Sequence, residues 1–437
     1  MAFSSLDASV RQPLLLAGGR IIDPVNGLDR VGDLYIDNGR ILAVGENLKV
    51  EPTGVLRIDL AGRWVVPGFV DMHVHLREPG EEYKETVASG TKAAAAGGFT
   101  AVACMPNTRP VNDNQAVTAL ILAKAAAGYA RVYPVGAISR GSEGEELAEY
   151  GEMRGAGVVA LSDDGRPVLN SQLMRRALEY AGNHRLLVIC HSEEISLSRH
   201  GVMNEGALST RLGLIGTPRV AEEIMVYRDL ALAEYTGRPV HIAHVSTRES
   251  VSLIRRAKAK GCRVTAETAP HYFALTEEAI GLYDALAKMN PPLRTADDVA
   301  AIKEGLRDGT LDSIATDHAP HSELEKDVEF DLAANGIIGL ETALPLALNL
   351  VREGVLDPAR LVELLSVNPA RILGVAGGSL AVDAPADVTV IDPDHRYVYG
   401  LEQVVSKSKN SPFLNQQMTG KAVLTVVDGH ITYSDLA

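Results

Sequence analysis

Over the first 66 residues, short apolar runs alternate with polar, turn-forming clusters in a rhythm that predicts β-strands at 14–16, 20–22, 34–36 and 41–44. Gly18-Gly19 and Asp37-Asn38-Gly39-Arg40 punctuate them, and Asn38-Gly39 is a hairpin signal because both residue types tolerate the positive φ of a tight β-turn. The last sixty residues repeat the texture at 386–392 and 422–427, the latter followed by Asp428-Gly429-His430-Ile431. Chain ends commonly lie close together. Residues 1–66 and 377–437 are therefore expected to form one small β-unit, a sandwich, beside a central domain over 67–376.

In the centre the rhythm changes to apolar strand, then helix. Eight windows read as buried strands: 64–70, 99–104, 131–135, 158–161, 186–190, 239–243, 263–267 and 313–315. Most of the gaps hold Ala/Leu/Glu-rich helical segments such as 85–96, 114–127, 171–181, 219–235 and 247–260, many opened by Ser, Thr or Asn caps. Eight strand-helix units over about 300 residues predict an α/β fold of the (β/α)8 TIM-barrel type. An open doubly wound sheet is the alternative, but no GxGxxG or GxxxxGK[ST] turn follows any strand.

Composition narrows the classes. With 46% hydrophobic and 22% charged residues the chain is folded rather than disordered. Lys and Arg number 42 against 56 Asp and Glu, a net charge of −14, which argues against a nucleic-acid partner. No run of 18 apolar residues occurs, so no membrane span is expected, and Leu14-Leu15-Leu16 is too short for the apolar region of a signal peptide. The chain reads as cytoplasmic. Cys104, Cys190 and Cys262 form no CxxC pair and sit in apolar runs, where they read as small buried hydrophobes.

Barrel chemistry gathers at the C-terminal ends of the strands. After the first strand come His73, His75 and Arg77, of one parity and so leaving on one side. Met105-Pro106-Asn107 follows the second strand, Asp163-Asp164-Gly165 the fourth, His191 the fifth, His244 the sixth, His271 the seventh, and Asp317-His318-Ala319-Pro320-His321 the eighth. His241 and His244 differ in parity, and the strand-end His244 is the better ligand. Imidazoles and carboxylates without cysteine are the donor set of zinc hydrolytic sites, which keep positions open for water and substrate. Four histidines and two aspartates exceed what one catalytic ion takes; they suit two ions bridged by a carboxylate and a hydroxide. The bridge falls to Asp163 or Asp164, and the other reads as a turn residue.

The runs His73-Val74-His75-Leu76-Arg77-Glu78-Pro79-Gly80, Met105-Pro106-Asn107-Thr108-Arg109-Pro110, Lys288-Met289-Asn290-Pro291-Pro292-Leu293-Arg294 and Thr316-Asp317-His318-Ala319-Pro320-His321 resemble bacterial type I dihydroorotases of the amidohydrolase superfamily. Order and spacing match from about residue 14 to the end. The resemblance implies a zinc-dependent, reversible cyclisation of N-carbamoyl-L-aspartate to L-dihydroorotate in pyrimidine (UMP) synthesis. It implies two Zn²⁺ per chain bridged by hydroxide and by Asp164, which lies 27 residues before His191, with Asp163 as fallback. His73 and His75 match the ligands of the first zinc, His191 and His244 those of the second, and Asp317 a ligand that also shuttles the proton. Arg77, Asn107 and His321 match a clamp on the substrate carboxylate, and Asn290 a residue beside the ring. The family's Pro-Phe-Gly is here Ala334-Asn335-Gly336, which leaves the ring contact at Asn335 open while Gly336 still offers backbone.

Two rivals are weighed. Hydantoinases and allantoinases share the HxH pair but typically use a carboxylated lysine bridge, and no lysine lies near the fourth strand end. A catalytically dead scaffold partner of aspartate transcarbamoylase would have lost ligands, whereas all six positions are filled; an active enzyme in complex with that partner, or a homodimer, fits the resemblance. Trp64 is expected at the junction of barrel and sheet. The charged stretch within 322–331 suits either a mobile loop or a solvated connection.

Overall fold

The computed structural model describes residues 1–7, 12–49 and 54–436. Eight parallel strands, β1 (Phe69–Val74), β2 (Phe99–Cys104), β3 (Arg131–Gly136), β4 (Ala160–Ser162), β5 (Leu187–Cys190), β6 (Val240–Ile242), β7 (Val264–Thr268) and β8 (Ser313–Ile314), pair each with the next in chain order. Just beyond β8, Val74 bridges His318 in parallel, and the His75 amide donates to the His318 carbonyl at 2.8 Å, so the sheet curls to near closure at its C-terminal end. Helices alternate with these strands, among them Val87–Ala96, Gln115–Ala125, Ser171–Asn183, Val220–Thr236 and Arg248–Ala259. Four of them open on Thr86, Asn114, Asn170 and Thr247, whose side chains accept first-turn amides.

The other strands form one flanking sheet of nine. Its order is Ala2–Phe3, His430–Ser434, Gln417–Val427, Val388–Val398, Trp64–Pro67, Leu14–Asp23, Leu28–Asp37 and Arg40–Gly45, with Leu56–Asp59 also pairing Leu14–Asp23. Both chain ends contribute, and Leu14, Leu34 and Ile36 pack with Val388, Val390, Leu424 and Val426 in a core separate from the barrel's, giving the unit a sandwich-like interior. Asn38 and Gly39 both hold positive φ at the hairpin tip, as the sequence predicts.

One predicted strand is corrected. The window 64–70 spans two elements: Trp64–Pro67 belongs to the flanking sheet, and the barrel strand starts at Phe69. Gly68 separates them where the two units touch, and a Cβ there would lie 2.3 Å from the Thr100 side chain. Periodicity could not mark the break because the run is buried on both sides.

The end of β1 is irregular in a useful way. Val70 and Met72 face the barrel interior, whereas Val74 and Leu76 belong to the outer core under the helices. The register against β2 slips between Asp71 and Val74, and this bulge reverses the inward phase, so that His73 and His75 face the lumen after Met72 has done so.

Candidate metal centre

Six side chains meet at the open end of the barrel. Asp164 lies at the centre: its Oδ1 is 3.3 Å from His73 Nε2, 3.4 Å from His191 Nδ1 and 3.4 Å from His244 Nε2, and its Oδ2 is 3.5 Å from His75 Nε2. Asp317 Oδ1 lies 3.1 Å from His75 Nε2 and 3.6 Å from His73 Nε2. The two carboxylates thus divide the imidazoles into two groups, with Asp164 facing both.

Asp163 points elsewhere. Its carboxylate accepts the amides of Ile138, at 2.8 Å, and Ser139 and the Ser139 hydroxyl, which ties the β3 loop to the β4 loop. Of the adjacent pair, Asp164 is the one in the cluster.

The donor set fits divalent ions. Two groups, His73 with Asp164 and His244, and His73 with His75 and Asp317, each bring one donor atom per residue within 4.8 Å of one another. A tetrahedral ion with bonds of 2.0–2.2 Å holds its ligands roughly 3.4 Å apart, and most of the separations here lie near that value. His73 Nε2 and Asp164 Oδ1 are buried without a hydrogen-bond partner, an arrangement that costs free energy unless something binds there.

Groups behind the ligands set their tautomers. Glu267 on β7 accepts from His73 Nδ1 at 2.8 Å and lies 3.2 Å from His241 Nε2, which leaves His73 Nε2 free to face the cluster. Burial works to raise the Glu267 carboxyl, but the His241 and His73 imidazoles outweigh it and hold it at about 2. Asn107 Oδ1 accepts from His75 Nδ1 at 2.9 Å, and Glu193 accepts from His191 Nε2 at 2.8 Å. Asp71 accepts the His73 amide and the Thr316 amide and hydroxyl, joining the ends of β1 and β8 beneath the site. Burial likewise works to raise Asp317, yet His73, His75 and His244 hold it at about 2.

Beside the cluster lies a cationic wall. Arg77 is buried, its Nε donates to the Pro320 carbonyl at 3.1 Å, and its Nη2 lies 3.3 Å from His321 Nε2. Burial and the neighbouring Arg77 push the His321 imidazole down to about 3, so the ring is neutral, and its Nε2 donates to the Asn335 carbonyl at 2.8 Å. Gly336 closes the wall at φ +121°, where a Cβ would sit 2.6 Å from Ala319 Cβ. Arg77, His244 and Asp317 hold left-handed φ values of 60°, 35° and 49°, a strain that concentrates at working residues.

His73, His75, Asp164, His191, His244 and Asp317 come together here, with Arg77, Asn107 and His321 beside them, and two of the expected contacts are refined. Asn335 is exposed and touches His321 through its backbone carbonyl. Asn290 donates to Glu193 at 3.0 Å and through it joins His191. His318 is buried near Glu85 and accepts the Gly339 amide, a structural post at the barrel seam. His271 is buried, and burial pushes it down to about 4. Glu267, Asp71 and Glu193 escape sequence reading. The signal available for the first two is an acidic residue inside a strand buried on both faces, which must have a buried partner.

The comparisons with known proteins follow the same line. A family model described as dihydro-orotase-like matches residues 62–250. Dihydroorotases of Geotalea daltonii and Desulfotalea psychrophila are 59% and 60% identical over 421 and 420 residues, covering 96% of this chain and 99% of each relative. The chain belongs to the dihydroorotase family. Dihydroorotase from Geobacter metallireducens is 58% identical over the same share. Among solved structures, L-hydantoinase (dihydropyrimidinase) from Arthrobacter aurescens superposes with a TM-score of 0.86 at 24% identity, covering 100% of this chain and 97% of that one. Dihydropyrimidinase from Brevibacillus agri superposes at 0.84 and 22% identity over 97% and 95%. These two establish the shared fold, which dihydroorotases and hydantoinases have in common. Among the described residues no helix is long and apolar enough to cross a membrane.

Proposed function

We propose that this chain is a dihydroorotase that interconverts N-carbamoyl-L-aspartate and L-dihydroorotate, with two zinc ions held by His73, His75 and Asp317 on one side and His191 and His244 on the other, and Asp164 between them. The observation that carries the reading is Arg77: a buried guanidinium beside the donor cluster, oriented by Pro320 and next to a neutral His321. A guanidinium fork matches a carboxylate in two parallel hydrogen bonds. A substrate ring bearing a carboxylate uses that cation, whereas a neutral hydantoin ring leaves it only the Glu81 carboxylate, 4.0 Å from Nη1.

Bound divalent ions supply a polarised ring carbonyl and a water acidic enough to lose its proton near neutral pH. The chain's own groups do the rest. Asp317, which faces both His73 and His75, takes the proton of the attacking water and passes it to the departing ring nitrogen. In the biosynthetic direction the same proton runs backwards, from the attacking nitrogen through Asp317 to the departing oxygen. Arg77 and the Asn107 amide nitrogen hold the carboxylate, and His321, whose one N–H is committed to the Asn335 carbonyl, lines the wall beside the guanidinium, while Asn107 Oδ1 keeps His75 in the tautomer that presents Nε2. Asn290 lies beside the ring, and Gly336 offers backbone where no Cβ fits.

The test is Arg77→Lys. A lysine keeps the charge and loses the fork, so KM for L-dihydroorotate is expected to rise about ten-fold or more, with zinc content unchanged. An unchanged KM contradicts the clamp.

A further inference from the structure

Segment 404–411 leaves the flanking sheet after Val388–Val398 and lies against the loops that carry the site. The barrel grips it closely. Glu341 accepts the amides of Val405 and Ser406 at 2.8 and 3.0 Å, Glu85 accepts the Lys407 amide at 3.2 Å, and the Ser408 hydroxyl donates to the Lys84 carbonyl at 2.6 Å. The outcome of this anchoring is the placement of Asn410, which is buried.

Asn410 joins two stretches of chain that have no covalent reason to stay in register. Its Oδ1 accepts the His321 amide at 3.0 Å. Its Nδ2 donates to the Ala319 carbonyl at 3.0 Å and to the Gly336 carbonyl at 3.1 Å, and its own carbonyl accepts the Ile338 amide at 3.0 Å. From the other side, Lys326 Nζ donates to the carbonyls of Ala334 and Gly336 at 2.8 and 3.2 Å. The His321 ring lies between these stretches, with Nε2 on the Asn335 carbonyl and Arg77 beside it. The Ala319 amide on the Ile337 carbonyl at 2.8 Å and the His318–Ile337 bridge join the two stretches at one point, and the Asn410 carboxamide fixes them at a second, next to the His321 ring. Both hydrogen-bonding ends of that carboxamide are used.

We propose that Asn410 is a positioning residue for substrate recognition, through which the crossing segment of the β-unit fixes the carboxylate-binding wall of the barrel. The proposal rests on the reading of Arg77 and His321 as that wall. The hydrogen bonds of Asn410 go to His321, Ala319, Gly336 and Ile338 and to none of the six cluster residues, so its effect belongs on binding rather than on the chemical step.

The experiment compares Asn410→Ala with His321→Ala on L-dihydroorotate hydrolysis, with zinc content and Tm measured on each preparation. For Asn410→Ala, KM is expected to rise about ten-fold, with kcat within about three-fold of wild type and zinc unchanged. If the alanine variant does not fold, Asn410→Ser is used, since its hydroxyl can serve only part of the partner set; the same split is expected at smaller size. KM unchanged in the Asn410 variants while His321→Ala raises it overturns the proposal and leaves the wall intact. KM unchanged in His321→Ala overturns the wall itself. A fall in kcat with KM kept, or a loss of zinc in step with activity, overturns the positioning role and makes Asn410 a purely structural residue.

Discussion

Asp317 and Glu267 represent two ways a carboxylate serves this site. Asp317 faces the cluster directly, 3.1 Å from His75 Nε2, and is the carboxylate proposed to carry the proton, while Asp164 sits between the two groups of imidazoles. Asp317→Asn is expected to lower turnover by roughly 10²–10⁴-fold. Zinc content by atomic absorption should stay near wild type, because His73, His75, Asp164, His191 and His244 persist; substantial turnover in this variant contradicts the assignment. Glu267 works through His73 Nδ1. Glu267→Gln keeps the volume and removes the charge, so it should weaken metal affinity by roughly 10–100-fold, read by titration against a chelator. Restoring activity with added zinc would separate this effect from a folding defect.

At the scale of elements, the joints between the two units carry the consequences. Gly68 is where the flanking strand Trp64–Pro67 hands over to β1, with its amide on the Asp387 carbonyl and its carbonyl receiving the Ser366 hydroxyl. Gly68→Ala places a Cβ against Thr100 in a backbone held on both sides. It should cost about 1–3 kcal/mol, seen as a lower Tm. Glu341 anchors the crossing segment, and burial pushes its carboxyl from 4.5 up to about 7 against the amides of Ser406 and Val405. The folded chain therefore keeps a proton that the unfolded chain has released between those two values. Stability from this group is full below about pH 4.5 and lost as pH rises through about 7. Glu341→Gln does not titrate, so its stability relative to wild type should rise across that window by up to about 3 kcal/mol, read as a rising difference in Tm. A constant difference in Tm contradicts the shift. In segment 322–331, which the sequence leaves open between a mobile loop and a solvated connection, the first turn is bonded to its surroundings. Glu325 caps Ser322 and pairs with Lys84 at 2.9 Å, and Lys326 is buried on three backbone carbonyls.

At the scale of the whole molecule, much was legible because a barrel places its chemistry at predictable points in the chain. His73, His75, His191, His244 and Asp317 could be found since each ends or follows an apolar run, whereas the residues alone left Asp163 and Asp164 open and only the family resemblance favoured Asp164. Other features were hidden for physical reasons. Trp64–Pro67 and β1 form one unbroken apolar window, so only the packing of Gly68 against Thr100 shows two strands. The bulge between Asp71 and Val74 leaves no mark in a run where every residue is buried. Glu267 looks like any strand residue until its partners from β1 and β6 are in place. Asn410 meets His321 across 89 positions of sequence, and nothing local marks the pair.

The central claim joins a metal-binding cluster to a carboxylate-binding wall. The measurement that tests it most directly is hydrolysis of L-dihydroorotate against hydantoin on one preparation whose zinc content per chain is determined at the same time. Selective turnover of L-dihydroorotate with close to two zinc ions per chain, lost on chelation and regained with zinc, is expected. Preferential turnover of the neutral ring would contradict it, because Arg77 would then be a buried cation without a substrate partner.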